Sequence, residues 1–209
     1  IRDTDRSRGL GDVYKRQTFY SGGKNKDDKF HRSYNEKNWR ILSRQAVHDS
    51  SIVTYPVFTA IAAPEVQNKL NGDFAIIAGP YLQNLATGGC ELDYTLTFVS
   101  EKFISMVFFG VLDEGEKEIF AKIPLNIDVQ TGAQLALGDV LNLRDADLLP
   151  VLRLLTTKDK VDFSKGIPES WYYNGTNFVF CQRSETGEWL EATVSASDLK
   201  KFLLKPELF

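Results

Sequence analysis

The sequence predicts an α+β fold: an antiparallel meander sheet with helices packed on one face, preceded by a smaller strand-helix portion. Three observations carry this. Leu92, Tyr94, Leu96 and Phe98 alternate with polar residues, and Ile119, Ala121, Ile123, Leu125, Ile127 and Val129 do the same, which is the period of a half-buried strand. Between Ala63 and Leu85 the apolar residues Val66, Leu70, Phe74, Ile77 and Tyr81 recur at helical spacing. Finally, 209 residues that are 43% hydrophobic and 25% charged can bury a core without metal or disulfide staples.

The elements follow in chain order. Residues 1–17 have neither helical nor alternating periodicity; they resemble a translated sequencing-library adaptor or a disordered leader, and the Gly, Lys and Asp-rich stretch 18–38 reads as a linker. Residues 39–90 form the strand-helix portion and 91–209 the C-terminal α+β portion, together one compact unit. Trp39–Val47 and Ser51–Phe58 are strands, with Tyr55-Pro56 predicting an edge or strand end. Pro80 should kink or end the helix. The alternating segment 92–98, Phe103–Leu112 (interrupted by Ser105) and Ile119–Val129 then make the meander, which leaves through Gln130-Thr131-Gly132-Ala133, with Gly132 suited to positive φ. Asp145–Thr156 is a helix whose Leu148, Leu149, Val151, Leu152 and Leu155 face the sheet. Asn174-Gly175 between aromatic runs is a hairpin signal. Leu190–Val194 is a last strand, and Ser195 to Asp198 reads as a capping box for a terminal helix.

Composition excludes several functions. With 25 basic and 28 acidic residues the net charge is −3, and no basic stripe interleaved with aromatics follows a phosphate backbone, so nucleic acid is not an expected partner. The basic leader leaves the remainder mildly acidic, which suits a basic partner. No apolar run reaches the length of a membrane span. Cys90 and Cys181, each in a strand, belong to no metal-spaced cluster, so no metal and no cofactor is expected; a disulfide between them and two buried free thiols both remain open.

Candidate chemistry is sparse. His48-Asp49-Ser50-Ser51 holds the residue types of a hydrolase triad, but on one turn, where the groups cannot converge. No phosphate-binding glycine loop is present. Carboxylates gather at Glu91/Asp93, at Asp113/Glu114/Glu116 and at Glu185/Glu188/Glu191; a solvated face is the plain reading, and a carboxylate pair of a glycan-active hydrolase the alternative. No catalytic residue is assigned. As a binding surface the sequence offers Asp113, Glu114 and Glu116 with the aromatic residues Trp171 and Tyr173, although cross-strand packing accounts for the aromatic pair equally well.

Tyr55-Pro56-Val57-Phe58 ahead of Val66-Gln67-Asn68-Lys69-Leu70-Asn71, then Leu125-Asn126-Ile127-Asp128-Val129-Gln130-Thr131-Gly132 leading to Leu137-Gly138-Asp139-Val140-Leu141, resemble one family, as does the closing Ser197-Asp198-Leu199-Lys200-Lys201-Phe202-Leu203. It is the uncharacterised α+β module shared by the ectodomains of lysozyme-sensing anti-sigma factors and the non-catalytic N-terminal region of a peptidoglycan deacetylase. The resemblance implies a non-enzymatic, extracytoplasmic ligand-binding or sensory domain of a bacterial cell-envelope protein, anchored or secreted in a Gram-positive bacterium, with lysozyme or cell-wall glycan as ligand. Many members carry a Gly-Ala-His element where this chain has Gly110-Val111-Leu112-Asp113-Glu114-Gly115, so a function resting on that histidine does not transfer.

Overall fold

The computed structural model describes residues 34–35, 39–87, 89–113, 118–156 and 159–209. The leader 1–17, the linker apart from 34–35, and Glu114 and Glu116 fall outside them. Among the described residues ten strands form two sheets: a seven-stranded sheet in the order β1 to β7, and a three-stranded sheet in the order β10-β9-β8.

The strands of the large sheet are β1 (Tyr34–Asn35), β2 (Arg40–His48), β3 (Ser51–Thr59), β4 (Cys90–Val99), β5 (Phe103–Asp113), β6 (Glu118–Asp128) and β7 (Ala133–Gln134). β4, β5 and β6 are the antiparallel meander the alternation predicts, with one irregularity between Leu96 and Phe98. The β2–β3 hairpin joins the same sheet through a short parallel contact at Ile52 and Val53 only. Beyond that contact no described strand pairs with β3 on its β4 side, which is how an interior strand accommodates Pro56. The backbone opened there is closed by a side chain instead. Asn71 accepts the Phe58 N–H at 2.7 Å and donates to the Phe58 carbonyl at 3.0 Å.

Asn71 projects from α1 (Pro64–Asn84), which buries Val66, Leu70, Phe74, Ala78 and Tyr81 against one face of the sheet. Each larger side chain of that row contributes about 2 kcal/mol of apolar transfer. The helix does not end at Pro80 but runs on one turn to Asn84; Pro80 is on its exposed side, and the Pro80 carbonyl accepts from the Asn84 side-chain amide at 2.8 Å. Tyr81 lies against bare backbone at Gly110, where a Cβ would collide with its ring.

After β7 come two short helices, α2 (Leu137–Val140) and α3 (Leu148–Leu155). α3 is shorter than the apolar spacing suggests: Leu148 and Leu152 are buried, whereas Leu155 is exposed. These residues pack with Phe103 and one face of the three-stranded sheet, made of β8 (Ser170–Tyr173), β9 (Asn177–Arg183) and β10 (Trp189–Ser195). The β8–β9 turn is shifted by one residue from the Asn-Gly reading. Its central residues are Gly175, at φ 93°, and Thr176, while Asn174 accepts from the Thr176 and Asn177 N–H groups. No terminal α-helix follows β10; Ser195 holds a turn with Ser197, and a 3-10 helix at Lys200–Phe202 ends the segment.

The three-stranded sheet stands on its β8 edge against the large sheet. Ser105, fully buried in β5, accepts the Tyr173 N–H at 2.8 Å and donates to Asn126 Oδ1 at 2.7 Å, and the Asn126 amide donates to the Trp171 carbonyl at 2.7 Å. Two polar side chains thereby replace the strand that the β8 edge lacks. The upright sheet is buried on both sides: Trp171, Tyr173, Phe178 and Phe180 face the short helices, and Tyr172, Val179 and Cys181 face Val107 and Phe109.

Candidate functional site

The registers of the meander map the face of the large sheet opposite α1. Residues directly opposite one another share a face, which gives the rows Glu91–Val111–Phe120 and Asp93–Phe109–Lys122, followed by Asp113–Glu118 at the end of β5 and β6. The upright sheet covers Phe109 and Lys122 but does not extend over the Glu91, Val111, Phe120 and Asp113 end, where Phe120 is 45% exposed.

At the covered end, Lys122 ion-pairs with Glu191 of β10, and Tyr172 donates to the same carboxylate oxygen at 2.9 Å. The ammonium also lies 5.5 Å from the Tyr172 ring centre and 5.7 Å from that of Phe109. Cys181 points its thiol to Glu191 at 3.8 Å. Burial, reinforced by Glu191, raises the Tyr172 hydroxyl above its ordinary range. Burial likewise pushes the Cys181 thiol up to about 12, with Lys122 pulling the other way and Glu191 adding to the rise. At neutral pH the thiol and the phenol stay protonated, so this constellation is suited to fastening one sheet to the other and not to nucleophilic attack.

At the uncovered end the carboxylates accumulate. Burial raises the Glu91 carboxyl, and Asp93 and Glu118 raise it further. Asp113, the sequence-derived candidate in this region, sits beside them: its N–H donates to Gly89 at 2.9 Å, and its register partner is Glu118. Glu114 and Glu116 lie outside the described residues. The other proposed pair, Trp171 and Tyr173, is only 2% and 4% exposed. Trp171 stacks on Phe178 at 5.4 Å and Tyr173 meets Phe209 edge-on at 5.0 Å. Because the hairpin is covered on both faces, this pair builds a core and presents no surface; the binding reading of Trp171 and Tyr173 is corrected accordingly.

The remaining sequence candidates separate. Glu185 pairs with Lys165 at the surface at 3.6 Å, while Glu191 belongs to the Lys122 contact, so the three late glutamates form no cluster. His48 and Asp49 sit 3.5 Å apart at the β2–β3 turn, with Asp49 at φ 50°. Both cysteines are free and buried, in different sheets, and the Cys90 thiol donates to the Tyr81 carbonyl at 3.2 Å. The described residues also form shallow concavities. One of about 80 Å³ lies between Asn126, Leu135 and Ser170, and a more open one of about 300 Å³ lies along Arg153, Asp159, Asp162 and Phe163. In the second, hydrogen bonds from Ser164 hold the Asp162 carboxyl below its usual range. Among the described residues no group of three or more His, Cys, Asp or Glu side chains is arranged to hold a metal ion, and no helix is long and apolar enough to cross a membrane.

Sequence reasoning missed Lys122, Glu191, Ser105 and Asn126 as a set. The available signal was a polar residue at an inward position of an otherwise apolar strand, as with Ser105 between Phe103 and Val107.

No protein-family model matches the sequence, and no curated protein matches it. Solved structures do share its fold. A member of the DUF3298 family from Bacteroides fragilis, 12% identical, superposes with a TM-score of 0.55 over 83% of this chain and 93% of its own. A DUF3298 family protein from Pseudomonas aeruginosa, 14% identical, gives 0.52 over 82% of this chain and 95% of its own. The chain thus has an α+β fold of the kind seen in structures of the uncharacterised DUF3298 family.

Proposed function

We propose that this chain is a non-enzymatic ligand-binding or sensory domain of a bacterial cell-envelope protein that recognises a basic protein, lysozyme being the model case, through the uncovered end of its large sheet. The supporting observation is the gathering of Glu91, Asp93, Asp113 and Glu118 on one sheet face next to the half-exposed Phe120, where Asp93 and Glu118 add to the rise that partial burial gives the Glu91 carboxyl. Carboxylates that repel one another gain when a cationic side chain arrives, and such a surface favours fast, salt-sensitive association. The resemblance of the Val66–Asn71 and Leu125–Gly132 segments to lysozyme-sensing ectodomains and to a deacetylase N-terminal region points to the same class of partner and to an extracytoplasmic setting.

A glycan-hydrolase reading needs a raised carboxyl inside a groove. Here the raised one, Glu91, stands on open sheet, and the groove holds Asp159 with the lowered Asp162. The experiment is biolayer interferometry with immobilised hen lysozyme and, separately, soluble peptidoglycan fragments, at low and at physiological salt. Micromolar lysozyme binding that Glu91→Lys weakens at least about tenfold supports the proposal. No signal with either probe at about 500 µM in low salt defeats it.

A further inference from the structure

Two Asn-Gly dipeptides occur in the chain, Asn71-Gly72 and Asn174-Gly175. Glycine lacks the Cβ that would hinder its own nitrogen from attacking the preceding side-chain amide, so both are chemically able to lose ammonia through a succinimide ring. The fold separates them. Asn71 is tied to the Phe58 N–H and carbonyl, and Gly72 lies inside α1, where its N–H is committed to a carbonyl one turn earlier. Asn174 and Gly175 are exposed in the β8–β9 turn. The Asn174 Oδ1 accepts the Thr176 N–H at 3.2 Å and the Asn177 N–H at 2.9 Å, while among the described residues no acceptor meets the Gly175 N–H. The electrophilic carbon thus carries a carbonyl polarised by two donors, and the nitrogen next to it is uncommitted.

We propose that Asn174 is a self-modification site, converted in the folded protein to aspartate and isoaspartate. The Gly175 nitrogen gives up its proton to hydroxide and bonds to the Asn174 Cγ, while the carbonyl electron pair moves onto Oδ1. The Thr176 and Asn177 N–H groups face that developing charge and are already in place, which is the arrangement that stabilises an oxyanion. Collapse of the intermediate breaks the Cγ–Nδ2 bond, and the nitrogen takes a proton from water and leaves as ammonia. Water then opens either C–N bond of the imide ring, giving aspartate or isoaspartate, the latter with its main chain running through Cγ. Both products add a negative charge to the turn. Isoaspartate also lengthens its main chain, at a place where the Thr176 carbonyl accepts the Ala196 N–H at 3.0 Å and a Cβ on Gly175 would already meet the Phe98 ring at 3.5 Å.

Peptide mapping of the aged wild-type protein tests this, with Asn71 as the control inside the same molecule. The folded chain is held at pH 8 and 37 °C for about three weeks, with a parallel sample in guanidinium chloride. Both are digested at acid pH, and the Asn71 and Asn174 peptides are resolved by mass spectrometry into their asparagine, aspartate and isoaspartate forms. In the folded protein Asn174 is expected to convert at least about tenfold faster than Asn71, and in guanidinium the two rates should come together. A folded Asn174 that converts no faster than folded Asn71 overturns the inference. So does an Asn174 that speeds up at least about tenfold on unfolding, because the turn would then be shielding the amide and not activating it.

Discussion

Ser105→Ala removes one oxygen and should destabilise the protein far beyond the loss of one hydrogen bond. Ser105 is fully buried, and its hydroxyl serves two groups, the Tyr173 N–H at 2.8 Å and Asn126 Oδ1 at 2.7 Å. Alanine leaves both without a partner. A buried polar group orphaned in this way costs about 1–3 kcal/mol, and the two together give about 3 kcal/mol. For a chain of this length that corresponds to a fall in Tm of about 6–12 °C. Urea unfolding followed by tryptophan fluorescence and calorimetry would measure it, and hydrogen exchange should show the Tyr173 amide losing protection. As a scale, Asp73→Ala, which removes only the surface pair to Lys69 at 3.0 Å, should stay within about 0.5 kcal/mol. A Ser105→Ala variant within about 2 °C of wild type would refute the surrogate-strand account of the β8 edge.

Three further outcomes are expected. Asn71→Ala strips both partners from the Phe58 backbone and should cost about 2–4 kcal/mol, whereas Ala at the neighbouring exposed Asn68 should be neutral; equal effects in urea titrations would discredit the pairing. Neither cysteine should react with Ellman's reagent in the folded protein at pH 8, because both are buried and Cys181 is pushed up to about 12, and both should react in guanidinium; a prompt native reaction at Cys181 would contradict the sealed site. The Glu91 carboxyl is raised in the folded state, so the stability linked to its protonation is present below its ordinary value of 4.5 and is lost as pH rises through the raised folded value. Glu91→Gln should therefore raise Tm relative to wild type at pH 7, with the gain shrinking towards pH 4, and a pH-independent difference would rule out that origin.

Much of the fold was legible because burial on one face writes itself into a chain as a period. The alternation at 119–129 located β6 within one residue at each end, and the spacing of Val66, Leu70, Phe74 and Tyr81 located α1. Pro80 misled because the hydrogen bond it forfeits, to the carbonyl of exposed Ile76 one turn earlier, lies on the solvent side, while the buried row from Val66 to Tyr81 carries the helix past it. The Asn174 turn misled by one residue because Asn can serve as the first position of a turn through its side chain as readily as a central one through its backbone. The candidate site was harder. Asp113 sits at the acidic end of the sheet, but Trp171 and Tyr173 are internal, since nothing local in an aromatic hairpin tells whether one face or two will be covered. Glu191 and Lys122 meet across 69 positions, and no spacing rule connects them.

β5 has a role that none of its residues reveals singly. Ile104, Met106 and Phe108 belong to the cluster under α1, while Phe103 joins the cluster of the short helices and Val107 and Phe109 the third. One strand is thus a shared wall for all three apolar regions. None can melt without exposing a side of it, so the molecule should come apart in a single cooperative step, and damage introduced at either end of the chain should be felt throughout.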